Sequence, residues 1–201
     1  MTGVRLAAVC VPGDAEAWRS LGFTIDHGSV ALSNGAIRPG AAVHSIELEP
    51  PGRGDDSVEG IPIRHGTGGA TPTATHPNGA VELDHVVVVT DSIDRTSAAI
   101  TQTLGLAQRR VRETPQVRQA FHRFADEPDG TRGCIIEVVE RPGLTSVDIW
   151  GLVVIVADLD LAVAASDGLV GAPKPAVQPG RRIATVSRSA GLPLAVALMS
   201  R

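Results

Sequence analysis

Two stretches of this chain decide its fold: LDHVVVVTDSID at residues 83–94 and IWGLVVIVADLD at residues 149–160, which begin 66 positions apart. Each is an apolar run that leads into an aspartate-containing turn, a pattern typical of a buried strand followed by a capped helix. A strand-turn-helix opening that occurs twice predicts a fold assembled from repeated modules. The repeat also tests the chemistry, because a site built by two paired modules draws polar side chains from both. His85 falls opposite Gly151, which has no side chain to contribute.

Composition limits the classes of partner open to this chain. Its 201 residues are 43% hydrophobic and carry a net charge of −4, and five of them are aromatic. A nucleic-acid partner needs a basic face and stacking rings, so we expect none. The apolar runs are far shorter than the roughly 20 residues that span a bilayer, and the first residues lack a signal core, so we expect no membrane partner and a cytoplasmic location. Cys10 and Cys134 are predicted to be buried thiols rather than a disulfide.

Turn signals divide the chain into three units of the same element order and one linker. Residues 1–50, 81–142 and 147–201 each read as a βαβββ module, which gives an α+β fold class. Residues 51–80 are dominated by Gly, Pro, Thr, Asp and Ser and are predicted to be a linker, because unstructured loops of this length are uncommon inside compact domains. The segment around Ile61 and Ile63 is the one candidate strand within that linker.

The first unit has the least regular pattern. After a strand that ends at Pro12-Gly13 and a short helix capped by Asp14, extended segments are expected at 23–26, 29–32 and 43–49. The stretch from Asn34 to Gly40 is interpreted as a turn region between the last two strands.

The second unit carries the features of a known family. It opens with Asp84-His85, its helix ends at Leu104-Gly105, and its closing strand reads Ile-Ile-Glu-Val at 135–138. These features resemble the glyoxalase/bleomycin-resistance group, the vicinal-oxygen-chelate (VOC) superfamily, well over 81–200 and more weakly over 1–50. The resemblance implies mixed, curved sheets with helices on the outer face, which pair to enclose a small-molecule pocket. The segments 76–80 and 177–185 also resemble a set of glyoxalase-like bacterial proteins.

The resemblance further implies a divalent metal ion held by one His and one Glu from each paired module. The second unit offers His85 and Glu137, whereas the third offers Gly151 and Ala197, which cannot coordinate through side chains. Glu47, on the closing strand of the first unit, is the candidate third ligand if that unit pairs with the second. The alternative is that His85 hydrogen-bonds to Glu137 or to backbone in a pocket without metal, so the cofactor is either none or one divalent metal ion.

Other polar or aromatic residues are candidates for ligand contact without metal. Residues 118 and 122 share one face of a predicted strand while 119 takes the other, because strand side chains alternate. A guanidinium in a concave pocket suits a carboxylate or phosphate, and an indole can line an apolar cavity. The candidate ligand-binding residues are therefore Arg118, His122, Trp150, Arg181 and Arg182.

Two functions follow from these observations. The first is a metal-poor VOC-type protein that binds or sequesters a small ligand, with the first unit as an accessory module or homodimer contact. The second is a divalent-metal-dependent lyase, isomerase or dioxygenase that uses His85 and Glu137. Phosphate-binding glycine loops, nucleophile elbows and His-Glu-x-x-His are absent from the sequence.

Overall fold

The computed structural model describes residues 3–49, 56–65 and 74–201. Within these ranges the elements are, in chain order, β1 (Arg5–Val11), α1 (Ala15–Arg19), β2 (Val30–Leu32), β3 (Gly35–Pro39), β4 (Ser45–Glu49), β5 (Asp56–Val58), β6 (Ile61–His65), β7 (Ala80–Thr90), α2 (Ile93–Leu104), β8 (Gln108–Thr114), β9 (Val117–Arg123), β10 (Ile135–Glu140), β11 (Asp148–Val156), α3 (Leu159–Ala164), β12 (Lys174–Pro175), β13 (Arg182–Thr185) and β14 (Ala195–Ser200).

The two repeated stretches form the predicted strand-turn-helix units. Strand β7 leads into α2 and β11 leads into α3. Ser92 caps α2 by accepting a hydrogen bond from the backbone N–H of Arg95, and Asp158 caps α3 in the same way. Helix α2 ends at Gly105, whose φ of 68° lies in the left-handed region that glycine adopts at little cost. Local capping chemistry therefore sets both helix starts.

Residues 80–201 build one eight-stranded mixed sheet, the second sheet, in the order β12-β13-β14-β11-β7-β10-β9-β8. Its centre is the antiparallel pair β7–β11, and each of these strands has a parallel neighbour, β10 or β14. Each half is thus a βαβββ module, and the two modules meet along their opening strands. The α+β fold class expected from the resemblance is confirmed.

The six strands from β1 to β6 build a smaller sheet, the first sheet, in the order β2-β3-β1-β4-β6-β5. Its centre is also an antiparallel pair, β1–β4, and each of these strands again has a parallel neighbour, β3 or β6. Hairpin strands β2 and β5 complete the two sides. The first sheet therefore repeats the arrangement of the second in shortened form, with three strands instead of four on each side.

This arrangement differs from the one expected for the first unit. The Asn34-Gly35 signal is a tight hairpin between β2 and β3, so the chain continues as a strand to Pro39 beside β1. Residues 23–25 form no strand, because Thr24 donates its backbone N–H to the Nδ1 atom of His76 instead of to a neighbouring strand. Strands β5 and β6 lie within the 51–80 segment, and residues 50–55 and 66–73 of that region fall outside the described ranges.

One hydrophobic core joins the two sheets. It runs from β1, β4 and the buried Trp18 of α1 to the buried face of β7 and β11. The β2–β3 turn docks on β7 through Asn34, which is 3% exposed. Its amide donates to the carbonyls of Leu83 and Arg132 at 3.0 and 2.9 Å and accepts from the N–H of Leu83 at 2.8 Å. Among the described residues no helix is long and apolar enough to cross a membrane.

The segment 76–80 also joins the sheets. His76 is 4% exposed, accepts the N–H of Thr24 at Nδ1 and donates from Nε2 to the carbonyl of Ala31 at 2.9 Å. These two bonds fix the neutral tautomer, and burial lowers the pKa of His76 despite the bond to Ala31. Asn78 donates to the carbonyl of Leu21 at 2.9 Å. Residues 76–80, which resemble a segment of glyoxalase-like bacterial proteins, thus pack between the two sheets.

Candidate functional site

The face of the second sheet opposite to the core forms a cleft of about 1140 Å³. Strands β7 to β10 supply a polar wall, and the region from β11 to β14 supplies an apolar wall. The polar wall presents His85, Arg109, Arg110, Arg112, Gln119 and Glu137. The apolar wall presents Ala176, Val177, Ile183 and Met199. Met199 also belongs to a buried apolar cluster with Val153, Ile155 and Ala197.

Strand register fixes which residues are equivalent in the two modules. Val153 lies opposite His85, and Gly151 lies opposite Val87. The same relation places Glu137 beside Val87 and Ala197 beside Val153. Rotation of one module onto the other about the β7–β11 pair therefore superposes Gly151 on His85, and Ala197 on Glu137.

A β-bulge places two ionisable side chains side by side on the polar wall. Val153 pairs with His85 but Val154 pairs with Leu83, so Asp84 is an extra residue on β7. The bulge lets Asp84 reach His85, with 2.7 Å between Oδ2 and Nδ1. Without it, alternation would send the two side chains to opposite faces.

His85 is held between two carboxylates. Its Nε2 atom lies 3.1 Å from Oε2 of Glu137, on the side opposite to Asp84. Burial works to lower the pKa of His85, but hydrogen bonds to the two carboxylates and their charges outweigh it and raise the pKa to about 9. His85 is therefore an imidazolium at neutral pH, and both of its ring nitrogens are occupied.

The row of contacts continues in both directions across the cleft. Arg181 of the third unit donates to Asp84 at 2.8 Å. Burial works to raise the pKa of Asp84, but His85 and Arg181 hold it below its usual value. At the other end, the amide of Gln119 donates to Glu137. The order Arg181, Asp84, His85, Glu137, Gln119 alternates donors and acceptors, so each polar group is satisfied by its neighbours.

These residues do not fit a divalent metal ion. A metal needs the lone pair of a neutral imidazole, whereas both ring nitrogens of His85 lie within hydrogen-bond distance of a carboxylate. Catalytic sites of this kind use three or more protein ligands, and the part of the chain that the structure describes holds no group of three or more His, Cys, Asp or Glu arranged to bind a metal. A ligating side chain at position 151 would require the backbone to move, because a Cβ there would lie 2.8 Å from the carbonyl oxygen of Ala195.

Glu47 lies apart from His85 and Glu137. It is on β4 of the first sheet, where it binds Arg38 and accepts a hydrogen bond from the thiol of Cys10 at 3.2 Å. Because β4 runs antiparallel to β1, its counterpart in the second sheet is β11, and the counterpart of β10 is β3. The expected equivalence of Glu47 and Glu137 therefore does not follow from the topology.

The five candidate ligand-binding residues are dispersed. His122 borders the cleft, but its ring is fully buried, with Nδ1 donating to the carbonyl of Leu106, and burial lowers its pKa. Arg181 reaches the polar wall through Asp84. The other three lie outside the cleft: Arg118 pairs with Glu140, Arg182 pairs with Asp160, and Trp150 stacks on Arg141.

Sequence reasoning missed most of the polar wall. Alternation placed the side chain of Gln119 on one face of β9 and those of Arg118 and His122 on the other face. Nothing in the sequence showed which of these faces lines the cleft. The residues of β8 were missed because a register shift between Gln108 and Arg110 inserts Arg109, so that both arginines line the cleft. The run of basic residues at 109–112 was the available signal.

Comparison with known proteins bears on the fold. No protein-family model matches this chain, and no curated protein matches it. A methylmalonyl-CoA epimerase variant from Streptomyces coelicolor, in complex with 2-nitronate-propionyl-CoA, is 19% identical over 60% of this chain and 97% of its own, with a TM-score of 0.49. The methylmalonyl-CoA epimerase from Mycobacterium tuberculosis is 16% identical over 61% and 89%, with a TM-score of 0.47. A hypothetical protein from Bacillus halodurans is 17% identical over 60% and 94%, with a TM-score of 0.45. The second sheet itself consists of two paired βαβββ modules, which is the arrangement that the resemblance to the glyoxalase/bleomycin-resistance (VOC) superfamily implies.

Proposed function

We propose that this protein binds a small organic molecule in the cleft of the second sheet, without a metal ion, and holds it rather than transforming it. The observation that carries the proposal is the pairing of His85 with Asp84 and Glu137. The polar pair that a metal would use is already satisfied as an ion pair, and its counterparts Gly151 and Ala197 carry no donor.

The size and lining of the cleft support ligand binding. A volume of about 1140 Å³ accommodates an organic molecule of drug size or larger. One wall is apolar and the other is polar, a combination that gives both burial of surface and orientation of the ligand.

The state of His85 argues against acid–base chemistry. A general acid or base must reach the reacting group with a free ring nitrogen. Both nitrogens of His85 are engaged, at 2.7 and 3.1 Å, so proton transfer to a ligand would first break an ion pair. The alternative function, a metal-dependent lyase, isomerase or dioxygenase, requires His85 to exchange its proton for a metal ion and a third ligand to come from elsewhere.

Two measurements on the purified protein test the proposal. The first is metal content by elemental mass spectrometry after incubation with zinc, nickel, manganese and iron(II), and we expect substoichiometric metal in the wild type and in His85→Ala alike. One tightly bound ion per chain that is lost in His85→Ala would overturn the metal-free function in favour of the enzyme.

The second measurement is a thermal-shift screen of small organic molecules in the presence of a chelator. We expect ligands that raise the melting temperature of the wild type but not that of Ala176→Phe, which adds a ring to the apolar lining of the cleft. Leu161→Phe is the matched control, because Leu161 is 68% exposed on α3 and does not line the cleft. Ligands that stabilise Ala176→Phe as strongly as the wild type would contradict binding at this cleft.

A further inference from the structure

The apolar wall is distinct from the rest of the hydrophobic interior. Met199 of this wall forms a buried cluster with Val153, Ile155 and Ala197, and this cluster is separate from the core that joins the two sheets. Ile183 and Met199 of this cluster line the cleft, together with Ala176 and Val177. The third unit therefore offers a ligand an apolar surface where the second unit carries His85 and Glu137.

The opposite side of the cleft is cationic although the protein is acidic. The chain has a net charge of −4, yet Arg109, Arg110 and Arg112 of β8 all line the cleft, and Lys174 of β12 faces it from the other edge. Within the described residues Arg109, Arg110 and Lys174 form no ion pair, and Arg112 donates to the amide oxygen of Gln119.

The bulge in β8 brings two adjacent arginines, Arg109 and Arg110, to the same face of the sheet. Without the extra residue, Arg109 and Arg110 would point to opposite faces of the sheet, and one would leave the cleft. With it, adjacent guanidinium groups share the cleft and repel each other in the absence of an anion. Among the described residues that line the cleft, the one acidic side chain is Glu137, which pairs with His85 and accepts a hydrogen bond from Gln119.

We propose that the ligand is an amphiphilic anion, an apolar chain or ring system that ends in a carboxylate or phosphate. Its apolar part packs on Met199 and Ile183, and its acidic group binds the guanidinium groups of Arg109, Arg110 and Arg112. Planar guanidinium groups bind both kinds of oxyanion in bidentate fashion, so the shared chemistry is the anionic head. This inference rests on the proposed function, since it names the class of molecule that the same cleft holds.

Calorimetric titration with matched compounds tests the inference. The probes are octanoate and octyl phosphate, the neutral 1-octanol, and the tailless anions acetate and inorganic phosphate. We expect octanoate, octyl phosphate or both to bind at least about tenfold more tightly than octanol and than the corresponding tailless anion. The preferred head identifies the source, carboxylate or phosphate.

Charge variants separate a specific contact from general attraction. Arg109→Gln/Arg110→Gln/Arg112→Gln should weaken the preferred amphiphile about tenfold or more and leave octanol unchanged. The control, Arg19→Gln/Arg188→Gln/Arg201→Gln, removes the same charge from exposed arginines outside the cleft and should have little effect. Circular dichroism verifies that both triple variants are folded.

The outcomes distinguish this inference from the proposed function. If octanol binds as tightly as the amphiphilic anions, or if the two triple variants weaken binding equally, the anionic class is refuted while a ligand-binding cleft remains. If neutral ligands from the thermal-shift screen also fail to bind, the proposed function falls with it.

Discussion

The ion pairs of His85 should make the stability of this protein depend on pH between about pH 6.5 and 9. An unfolded His has a pKa near 6.5, whereas the folded pKa of His85 is about 9. The folded state therefore holds the proton more tightly, and its contribution to stability is fully present below pH 6.5 and is lost as the pH rises through 9. A difference of one between the folded and unfolded pKa corresponds to roughly 1.4 kcal/mol. Between pH 6.5 and 8.5 the free energy of unfolding should fall by about 2 kcal/mol through this group.

Urea denaturation at half-unit pH intervals measures this loss. His85→Gln should be less stable than the wild type at pH 6.5 and should lack the alkaline slope, so that the two curves converge toward pH 9. His27→Asn is the matched control, because the His27 side chain is 95% exposed. Cys134 also acts at high pH, since burial raises the pKa of its thiol, but it acts equally in all three proteins. Parallel curves for the wild type and His85→Gln would refute the assigned protonation state.

Three further predictions concern the framework around the cleft. Asn34→Ala should lower the free energy of unfolding in urea by about 3 kcal/mol, because it leaves buried backbone groups of β7 unpaired. Gly151→Ala should cost about 1–3 kcal/mol in the same assay, since its Cβ meets the Ala195 carbonyl, whereas Gly171→Ala, with its nearest contact at 3.5 Å, should be nearly neutral. Because the pKa of His76 is lowered by burial, its contribution to stability is present above pH 6.5 and is lost as the pH falls, so His76→Gln should show a shallower loss between pH 6.5 and 5.

The second sheet could be predicted closely because its signals are local. The valine-rich run of β7, the cap at Ser92 and the stop at Gly105 each determine their own segment. The offset between the two repeats also predicted which residues occupy equivalent positions in the two modules. Strand register bears out that relation, with Gly151 in the place of His85.

The first sheet could not be predicted from the same signals. Its strands have three to seven residues. One half of the sheet is β1 to β3 and the other is β4 to β6, and the central pair β1–β4 joins them. The sequence division at residue 50 instead separated β4 from β5 and β6. Asn34 lies in a turn as expected, but residues 35–39 of the expected turn region form β3, which pairs with the edge of β1. Pairing partners far apart in the chain leave no trace in local periodicity.

The polar side chains of the cleft were hidden for a different reason. Alternation along a strand divides residues into two sets but does not say which set faces the core. Of the two residues chosen on β9, His122 borders the cleft and Arg118 does not, whereas Gln119 and Phe121 also line it. Bulges at Asp84 and Arg109 then shift the alternation by one residue at the two places where ionisable groups gather. The candidate site is thus built at positions where the alternation of a regular strand does not predict which way a side chain points.

The asymmetry of the second sheet connects these observations to function. A site that uses both modules equally would place matching polar residues at equivalent positions, but here one module has His85 and Glu137, and the other has Gly151 and Ala197. Gly151 lies so close to the backbone of Ala195 that no larger residue fits without movement, so this half requires close strand packing. Its neighbours Val153 and Met199 form a continuous apolar surface. On the proposed function, a cleft with one apolar wall and one cationic edge would select its ligand by the polarity of the ligand's two ends.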